Sequence, residues 1–209
     1  VVGTRGRVLD HLMRKSLNLH AIRLLILDEA DRMLSMGFYP DMERIKGFLP
    51  KKRRNSYMFS ATFPPRVVGL SEEFLYKPET LSLSSDHVHV KEIDHRYYVV
   101  KGMDKDRALM RLLEIENPDS ALIFCNTKNE VSYIEQMLRN FGFSVRGMSS
   151  DLNQSKREQV IRNIKKGKLT FVVATDVASR GIDIPNLSHV FLYDLPDDPE
   201  DYIHRSGRT

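Results

Sequence analysis

The sequence lacks the features that would mark a secreted or membrane protein. Cys125 is its only cysteine, so no disulfide can form within the chain. A reducing compartment is therefore expected: the cytoplasm, or the nucleus or an organelle if the protein is eukaryotic. No run reaches the length of about 18 uncharged apolar residues that a membrane span needs. The first residues show neither the basic nor the apolar region of a secretory signal.

Several catalytic and metal-binding signatures are absent as well. No Gly-x-x-x-x-Gly-Lys-Ser/Thr phosphate loop occurs, because the only Gly-Lys pair, Gly167-Lys168, is followed by Leu169 where a hydroxyl is required. The histidines form no metal-ligand spacing with Cys125, so no zinc site is expected. No Ser/His/Asp or Cys/His pair stands out as a nucleophile with its base.

Charge is distributed unevenly along the chain. The whole sequence has a formal net charge of +4, which by itself is a poor argument for nucleic-acid binding. Residues 1–90 hold 14 basic and 10 acidic side chains, whereas residues 91–209 hold 18 of each. The densest basic run, residues 51–54, is expected to be a solvated loop before a strand.

Helices and strands are predicted to alternate nearly throughout the chain. The predicted helices are 6–15, 30–35, 40–48, 65–76, 104–115, 128–140 and 154–166. The predicted strands are 24–27, 56–59, 80–83, 93–100, 121–124, 144–146, 171–174 and 188–193. Such alternation predicts an α/β fold with parallel sheets. The pattern restarts after a polar stretch, so we predict two domains, 1–84 and 93–209, joined by a linker at 85–92.

A cluster of carboxylates ends the first apolar run. Residues 28–31 read Asp-Glu-Ala-Asp and follow the apolar segment 22–27. A strand this apolar suits the middle of a parallel sheet, and ligands bind beyond the carboxyl ends of such strands. Acidic side chains at that position can hold a magnesium ion and orient a water against a nucleotide phosphate. Taken alone, the cluster could equally be a solvated acidic turn.

Other short motifs follow a definite order along the chain. They are Thr4-Arg5-Gly6-Arg7, Ser60-Ala61-Thr62, the segment 122–127 (LIFCNT), Gln154-Ser155-Lys156-Arg157, the segment 174–183 (ATDVASRGID) and His204-Arg205-Ser206-Gly207-Arg208. Each motif is weak or moderate alone, and their joint order and spacing with residues 28–31 is specific.

In this order the motifs resemble those of the DEAD-box ATP-dependent RNA helicases of superfamily 2. The resemblance covers essentially every residue, from the middle of the first RecA-like domain to nearly the end of the second. It implies two RecA-like parallel-sheet domains, the first truncated at its N-terminus. It further implies RNA-stimulated ATP hydrolysis coupled to local duplex unwinding, with ATP and Mg²⁺ as cofactors and single-stranded or short duplex RNA as the partner.

The resemblance assigns nucleotide chemistry to the first domain. Asp28 is implied to hold magnesium through water, and Glu29 to position or activate the attacking water. Phosphoryl transfer depends mainly on positioning and charge stabilisation, which suits this small set of groups. Asp31 is implied to hydrogen-bond to Ser60, Thr62 and the last motif, and thereby to couple nucleotide hydrolysis to RNA. Local hydroxyl caps in a turn are the alternative for Ser60 and Thr62.

The resemblance also assigns contacts with the RNA backbone. The implied residues are Thr4, Gly6 and Arg7 in the first domain and Gln154, Arg157, Thr175 and Gly181 in the second. Hydroxyls, open backbone amides and guanidinium groups are what phosphate binding requires. Arg5 stands where the family has proline, which adds a charge and loses a fixed φ. Contacts of this kind give sequence-independent binding, and contacts with the ribose hydroxyl favour RNA over DNA.

Residues of the second domain are implied to complete the nucleotide site. Asp183 matches the acid that reaches the nucleotide ribose, and Arg208 matches an arginine finger that neutralises the transferring phosphate. Arg205 is implied to contact the nucleotide, and with His204 to link domain closure to Asp31. Arg180 is implied to brace the domain interface. A solvated surface arginine is the alternative for Arg205 and Arg208.

The chain is expected to be a fragment, because it starts at Val1 and stops within a charged segment at Thr209. By the resemblance, the phosphate loop and an adenine-reading glutamine segment would precede Val1, and a second arginine finger would follow Thr209. The fragment alone is therefore expected to hydrolyse ATP poorly or not at all. Its first domain would expose a sheet edge that is prone to aggregation.

Two other functions stay open at the level of sequence. A non-catalytic RNA-binding clamp or scaffold is one, since the phosphate loop is absent from the sequence. A DNA-directed helicase of the same superfamily is the other. No membrane partner is expected, and protein partners cannot be named from the sequence.

Overall fold

The computed structural model describes residues 1–35, 39–51, 54–82, 93–101, 104–179, 184 and 187–209. By its contacts the chain divides into two compact units, residues 1–88 and residues 89–209. The predicted linker at 85–92 lies outside the described residues, so the predicted domain limits stay a prediction.

The first unit contains a two-stranded parallel sheet. Its elements are α1 (Arg5–Met13), β1 (Leu24–Leu27), α2 (Ala30–Ser35), α3 (Tyr39–Phe48), β2 (Asn55–Met58) and α4 (Pro65–Phe74). The strands pair in parallel, with Leu24 opposite Asn55 and Leu27 opposite Met58. One face of the sheet packs on the helices, where Leu27, Met42 and Leu70 lie in one buried cluster.

The second unit is built on a four-stranded parallel sheet. Its elements are α5 (Lys105–Glu116), β3 (Ala121–Phe124), α6 (Lys128–Asn140), β4 (Val145–Met148), α7 (Gln154–Lys165), β5 (Phe171–Ala174), α8 (Asp176–Ser179), β6 (His189–Leu192) and α9 (Pro199–Ser206). The strand order is β4-β5-β3-β6, and every pairing is parallel. The two central strands, β3 and β5, are buried along their whole length, as expected for a sheet covered on both faces.

Local sequence signals set the ends of several helices. Thr127 and Glu130 form a reciprocal capping box at the start of α6, which satisfies two backbone donors of the first turn. The Asn153 side chain caps α7 by accepting from the Lys156 amide. Gly142 and Gly167, which follow α6 and α7, have φ of 86° and 66°, the left-handed conformation in which glycine commonly ends a helix.

The predicted class, α/β with parallel sheets, is confirmed, but two predicted strands are wrong. Residues 80–82 and 93–100 form no strand in the part of the chain that the structure describes. The segment 93–100, predicted as a strand from its partial alternation of apolar and polar side chains, has no hydrogen-bonding neighbour among the described strands. Tyr97 and Val99 within it are 89% and 92% exposed. Two helices were not predicted, α8 and α9. The second carries visible signals, since Asp198 caps it and Pro199 is its first residue.

The basic run at 51–54 is described only at its ends. Lys52 and Arg53 lie outside the described residues. Arg54 donates to the carbonyls of Pro50 (3.2 Å) and Phe74 (3.3 Å), so it braces the loop before β2 against the end of α4. None of the helices in the described ranges combines the length and apolar composition that a transmembrane helix requires.

Candidate functional site

In the first unit, the segments that follow β1 and β2 stay side by side beyond the strand ends. The Phe59 amide donates to the Leu27 carbonyl (2.8 Å), and the Ala30 amide donates to the Phe59 carbonyl (3.1 Å). Residues 28–31 and 59–62 therefore lie next to one another at the carboxyl edge of the sheet, which is where α/β proteins bind ligands.

A left-handed turn presents Asp28 and Glu29 to solvent. Glu29 has a φ of 54°, which is uncommon for a residue with a side chain and tends to occur at functional sites. Both residues are exposed, and Asp28 Oδ1 accepts a hydrogen bond from the Glu29 amide (3.0 Å). The Glu29 carboxylate also receives a hydrogen bond from Arg32 Nη1 (3.3 Å). The turn thus sets two adjacent carboxylates at the strand end, open to a ligand.

Asp31 differs from its neighbours because its side chain is buried, with 1% exposed. Oδ2 accepts from both the amide and the hydroxyl of Thr62 (3.0 Å each), while Oδ1 accepts from the Arg32 amide (2.9 Å). The Asp31 amide donates to Ser60 Oγ (3.0 Å). The structure therefore brings together Asp31, Ser60 and Thr62, as the sequence predicted. Their role in coupling stays a prediction.

Thr4, Gly6 and Arg7 lie at the amino end of α1. Thr4 is the N-cap residue in extended conformation (φ −69°, ψ 150°), without a side-chain capping bond. The first backbone bond of the helix runs from the Val8 amide to the Thr4 carbonyl (2.9 Å), which leaves the earlier amides directed outward. All three predicted residues are exposed, and Arg7 forms a long ion pair with Asp10 (3.7 Å). This end of the helix is accessible to an anion.

In the second unit, Arg205 occupies the centre of the sheet's carboxyl edge. It is 2% exposed. Its Nε and Nη2 donate to the two carboxylate oxygens of Asp176 (2.8 and 2.6 Å), and Nη2 also donates to Asn126 Oδ1 (2.8 Å). Nη1 donates to the Asp194 carbonyl (2.6 Å), and the guanidinium lies 5.2 Å from the centre of the Phe124 ring. The segments after β3, β5 and β6 converge on this one side chain.

This arrangement argues against the predicted contact between Arg205 and the nucleotide, and against the alternative of a solvated arginine. The buried guanidinium donates four hydrogen bonds to three residues of its own unit, two of them in a bidentate ion pair, and it would have to give up part of this network to reach a ligand. In this structure Arg205 braces the second unit. Its position three residues before Arg208 placed it in the nucleotide motif, and no pattern in the surrounding residues indicates its burial.

The remaining predicted residues of the second unit lie on α7, directly after β5, and in or just after α9. His204 and Arg208 are half-buried, and the Arg208 amide donates to the Arg205 carbonyl (3.3 Å) in the turn after α9. Gln154 is exposed on the first turn of α7 and Arg157 is half-buried one turn further. Thr175 is buried directly after β5, with 8% exposed. Three predicted residues, Arg180, Gly181 and Asp183, lie outside the described residues.

Sequence reasoning assigned no role to Asn126, Asp176 or Asp194, although they join the network around Arg205. Asp194 pairs with Lys105 and accepts from the Asn126 amide (3.0 Å). All three directly follow or closely follow the carboxyl end of a predicted strand, and that position was the available signal.

Nucleophilic chemistry at Cys125 is disfavoured by its surroundings. The side chain is fully buried, and burial raises the pKa of the thiol to about 12. It is therefore protonated at neutral pH, and only the thiolate is a nucleophile.

Metal binding at the carboxyl edge of the first unit's sheet would depend on Asp28. Within the described ranges no three side chains of His, Cys, Asp or Glu come together as a direct metal site would require. An ion held through its own water needs fewer protein ligands, and Mg²⁺ keeps several waters in proteins. The exposed Asp28 carboxylate, next to Glu29, fits an ion held in that way.

Two family models match the chain. The model described as "DEAD/DEAH box helicase" matches residues 1–70, and the one described as "Helicase conserved C-terminal domain" matches residues 104–209. Among curated proteins, the ATP-dependent RNA helicase CshA of Listeria monocytogenes is 42% identical over 209 residues. That match covers 100% of this chain and 40% of the relative. The CshA protein of Streptococcus pneumoniae is 43% identical over 208 residues, again covering 40% of the relative.

Solved structures agree with these matches. Dbp5 of S. cerevisiae, in a structure described as bound to RNA and ADP BeF3, has a TM-score of 0.88 at 36% identity. The match covers 99% of this chain and 55% of that one. A DEAD box protein of Methanococcus jannaschii is 41% identical with a TM-score of 0.56. The chain thus spans about 40% of the length of the curated relatives it matches. On the family models, the relatives and the parallel α/β fold together, the chain belongs to the DEAD-box helicase family.

Proposed function

We propose that this chain is part of an ATP-dependent RNA helicase, in which RNA-stimulated ATP hydrolysis is coupled to local duplex unwinding. One observation carries the proposal. The left-handed turn at Glu29 presents two carboxylates to solvent at the carboxyl edge of a parallel sheet, while Asp31 is tied to the next strand end. The curated relatives are named as RNA helicases and the yeast protein was solved with RNA bound, and both facts support the same assignment.

In this proposal the nucleotide is ATP, and Asp28 and Glu29 act on it. Asp28 would hold Mg²⁺ through water, and the bound ion would supply charge neutralisation at the phosphates. Glu29 positions the attacking water and accepts its proton. Arg208 supplies positive charge to the transferring phosphate, and Asp183 contacts the ribose. Arg205 is left out of this set because it is buried and donates four hydrogen bonds within its own unit.

The hydrogen bonds of Asp31 support a role in coupling. A shift of the segment that carries Ser60 and Thr62 would be felt at the residue two positions after Glu29, because Asp31 accepts two bonds from Thr62. We assign coupling to these three residues, together with Arg180 and His204.

RNA is bound through its backbone. Thr4, Gly6 and Arg7 supply a hydroxyl, open amides and a guanidinium at the amino end of α1, where the helix dipole also favours an anion. The contacts in the second unit are assigned to Gln154, Arg157, Thr175 and Gly181. Such contacts are independent of base sequence, so we expect little sequence preference and a strong dependence on salt. A cytoplasmic location suits the single, free cysteine.

The test measures ATP hydrolysis by the protein made from the complete open reading frame, with and without single-stranded RNA. RNA should stimulate hydrolysis, and Glu29→Gln should lower the stimulated rate by at least about 100-fold, the scale of a lost general base. Glu43→Gln, which changes an exposed glutamate on α3, is the matched control and should leave the rate unchanged.

The outcomes separate the rival functions. RNA binding without hydrolysis would indicate a clamp or scaffold, and stimulation by DNA at least equal to that by RNA would indicate a DNA-directed helicase. Residues 1–209 alone should stay near background, because the sequence contains no phosphate loop. RNA-stimulated hydrolysis by residues 1–209 would contradict this expectation.

A further inference from the structure

We propose that Asn126, Asp176 and Arg205, here called the Arg205 cluster, are positioning residues of the second unit. The cluster holds the turn that carries Thr175 and the turn that carries Arg208 in a fixed relation. The inference rests on the proposed function, in which Thr175 contacts RNA and Arg208 acts on the transferring phosphate. None of the three cluster residues touches a ligand in this proposal.

The Arg205 guanidinium is a buried charge with a well-matched partner in Asp176. Arg205 is 2% exposed, and its bidentate pair with Asp176 has distances of 2.6 and 2.8 Å. A buried charge that loses one partner is strongly destabilised, because the remaining charge stays desolvated. The guanidinium therefore resists small displacements, and its partners move with it.

Asn126 connects the ends of β3 and β6 to Arg205. Its Oδ1 accepts from Arg205 Nη2 (2.8 Å), its Nδ2 donates to the Leu195 carbonyl (3.0 Å), and its amide donates to Asp194 Oδ2 (3.0 Å). The residue follows β3, whereas Asp194 and Leu195 follow β6. One amide side chain thus joins the ends of both strands to α9.

The cluster reaches each functional turn through one covalent or backbone link. Asp176 is adjacent to Thr175, whose carbonyl accepts from the amides of Ala178 and Ser179 (3.0 Å each). On the other side, the Arg208 amide donates to the Arg205 carbonyl (3.3 Å). A change at Thr175 on RNA contact would therefore be transmitted to the backbone that carries Arg208. The path of contacts between Thr175 and Arg208 is therefore contiguous and lies along one edge of the sheet.

The test compares Asn126 variants of the protein made from the complete open reading frame. Asn126→Ala removes the acceptor for Arg205, so RNA-stimulated kcat should fall about tenfold, and more RNA should be needed for half-maximal stimulation. Asn126→Asp keeps that acceptor but loses the donor to the Leu195 carbonyl, so it should restore only part of the rate. Asn140→Ala makes the same truncation at the exposed end of α6 and should leave both quantities unchanged. Unchanged stimulation in folded Asn126→Ala would overturn the proposal.

A second readout separates this inference from the proposed function. In Asn126→Ala, amide hydrogen exchange should rise in residues 176–179 and in residues 203–208 together. A rise confined to the neighbours of residue 126 would overturn the cluster even if the protein is an active helicase. If exchange rises in both segments of Asn126→Ala but the unmutated protein shows no RNA-stimulated hydrolysis, the Arg205 cluster is supported and the proposed function is refuted.

A double variant guards against a folding failure. Asp176→Leu with Arg205→Met replaces the largely buried ion pair by apolar side chains, a change that is often neutral for stability. It should fold with a near-native thermal midpoint and still lose the RNA stimulation. Full stimulation in this variant would show that the ion pair only stabilises the fold.

Discussion

Two aspartates three residues apart have opposite surroundings at the end of β1. Asp28 is exposed and accepts one hydrogen bond from the neighbouring Glu29 amide. Asp31 is buried and uses both carboxylate oxygens as acceptors, from Arg32 and Thr62. An exposed carboxylate is free to meet a cation, whereas a buried one with donors on both oxygens holds structure together. Within residues 28–31, Asp28 therefore faces a ligand, whereas Asp31 holds the structure together.

Asp31→Asn should destabilise the first unit more than Asp28→Asn. An amide must direct its NH₂ group at one of the donors that now face a carboxylate oxygen, so at least one buried hydrogen bond is lost. The expected loss is about 1–3 kcal/mol in the free energy of unfolding. Urea denaturation followed by circular dichroism measures it. Asp28→Asn is the matched control, with an expected change near zero, and equal midpoints for the two variants would contradict the assignment.

Residue roles were predictable where a motif reports on a local contact. Asp31, Ser60 and Thr62 lie at the ends of two paired strands, and the resemblance to the helicase family predicted their contact. Arg205 was different, because its burial depends on where the ends of β3, β5 and β6 meet. No local pattern around residue 205 encodes that meeting point, since Asn126 is 79 residues away.

At the scale of elements, α3 and α4 of the first unit are joined by a small polar group. Tyr39 Oη and Lys46 Nζ on α3 donate to the Glu73 carboxylate on α4, at 2.7 and 3.0 Å. The hydrogen bond from Tyr39 is the main cause of a lowered pKa of the Glu73 carboxyl, and the bond from Lys46 adds to it. A lowered pKa means that the ionised carboxylate is favoured in the folded chain.

The hydrogen bonds to Glu73 that connect α3 and α4 should contribute less to the stability of the first unit in acid. Stability from a carboxyl with a depressed pKa is present above its unfolded pKa and is lost as pH falls through the folded pKa. Glu73→Gln should therefore lower the free energy of unfolding at neutral pH, by the few tenths of a kcal/mol typical of exposed pairs, and make no difference below the folded pKa. Urea denaturation over a range of pH measures this difference. Glu72→Gln, one exposed position earlier, is the control. A difference that grows as pH falls would contradict the sign.

Elements were predictable from periodicity where both the pattern and a partner exist. The strands 24–27, 121–124 and 171–174 match the predictions residue for residue, and each pairs with a parallel neighbour. Residues 93–100 were predicted as a strand from a partial alternation of apolar and polar side chains rather than from a continuous apolar run, and the described strands offer them no partner. A strand forms only when a neighbouring strand pairs with it. An alternating pattern indicates which side chains share a face, but it does not specify the partner strand.

At the scale of the whole molecule, the two units differ in how well their sheets are covered. In the second unit, β3 and β5 are buried throughout. In the first, Leu24, Ile26, Tyr57 and Phe59 are 52–56% exposed on one face of the β1–β2 pair. An apolar sheet face of this kind is a site of association, and open edges add hydrogen-bonding groups to it. The predicted tendency of the sheet edge to aggregate is therefore also expected of this sheet face.

Residues 1–209 produced alone should therefore self-associate through the first unit. Fully burying a large apolar side chain contributes about 1.5–3 kcal/mol, so a face with several of them can drive association at moderate protein concentration. Ile26→Thr with Tyr57→Thr should shift the sedimentation coefficient toward that of a monomer. Tyr97→Thr with Val99→Thr is the matched control in the second unit, because those side chains are more exposed but lie outside any described sheet. A chain that stays monomeric at every concentration would contradict the prediction, and a control that dissociates as readily as the β1–β2 variant would move the associating surface to the second unit.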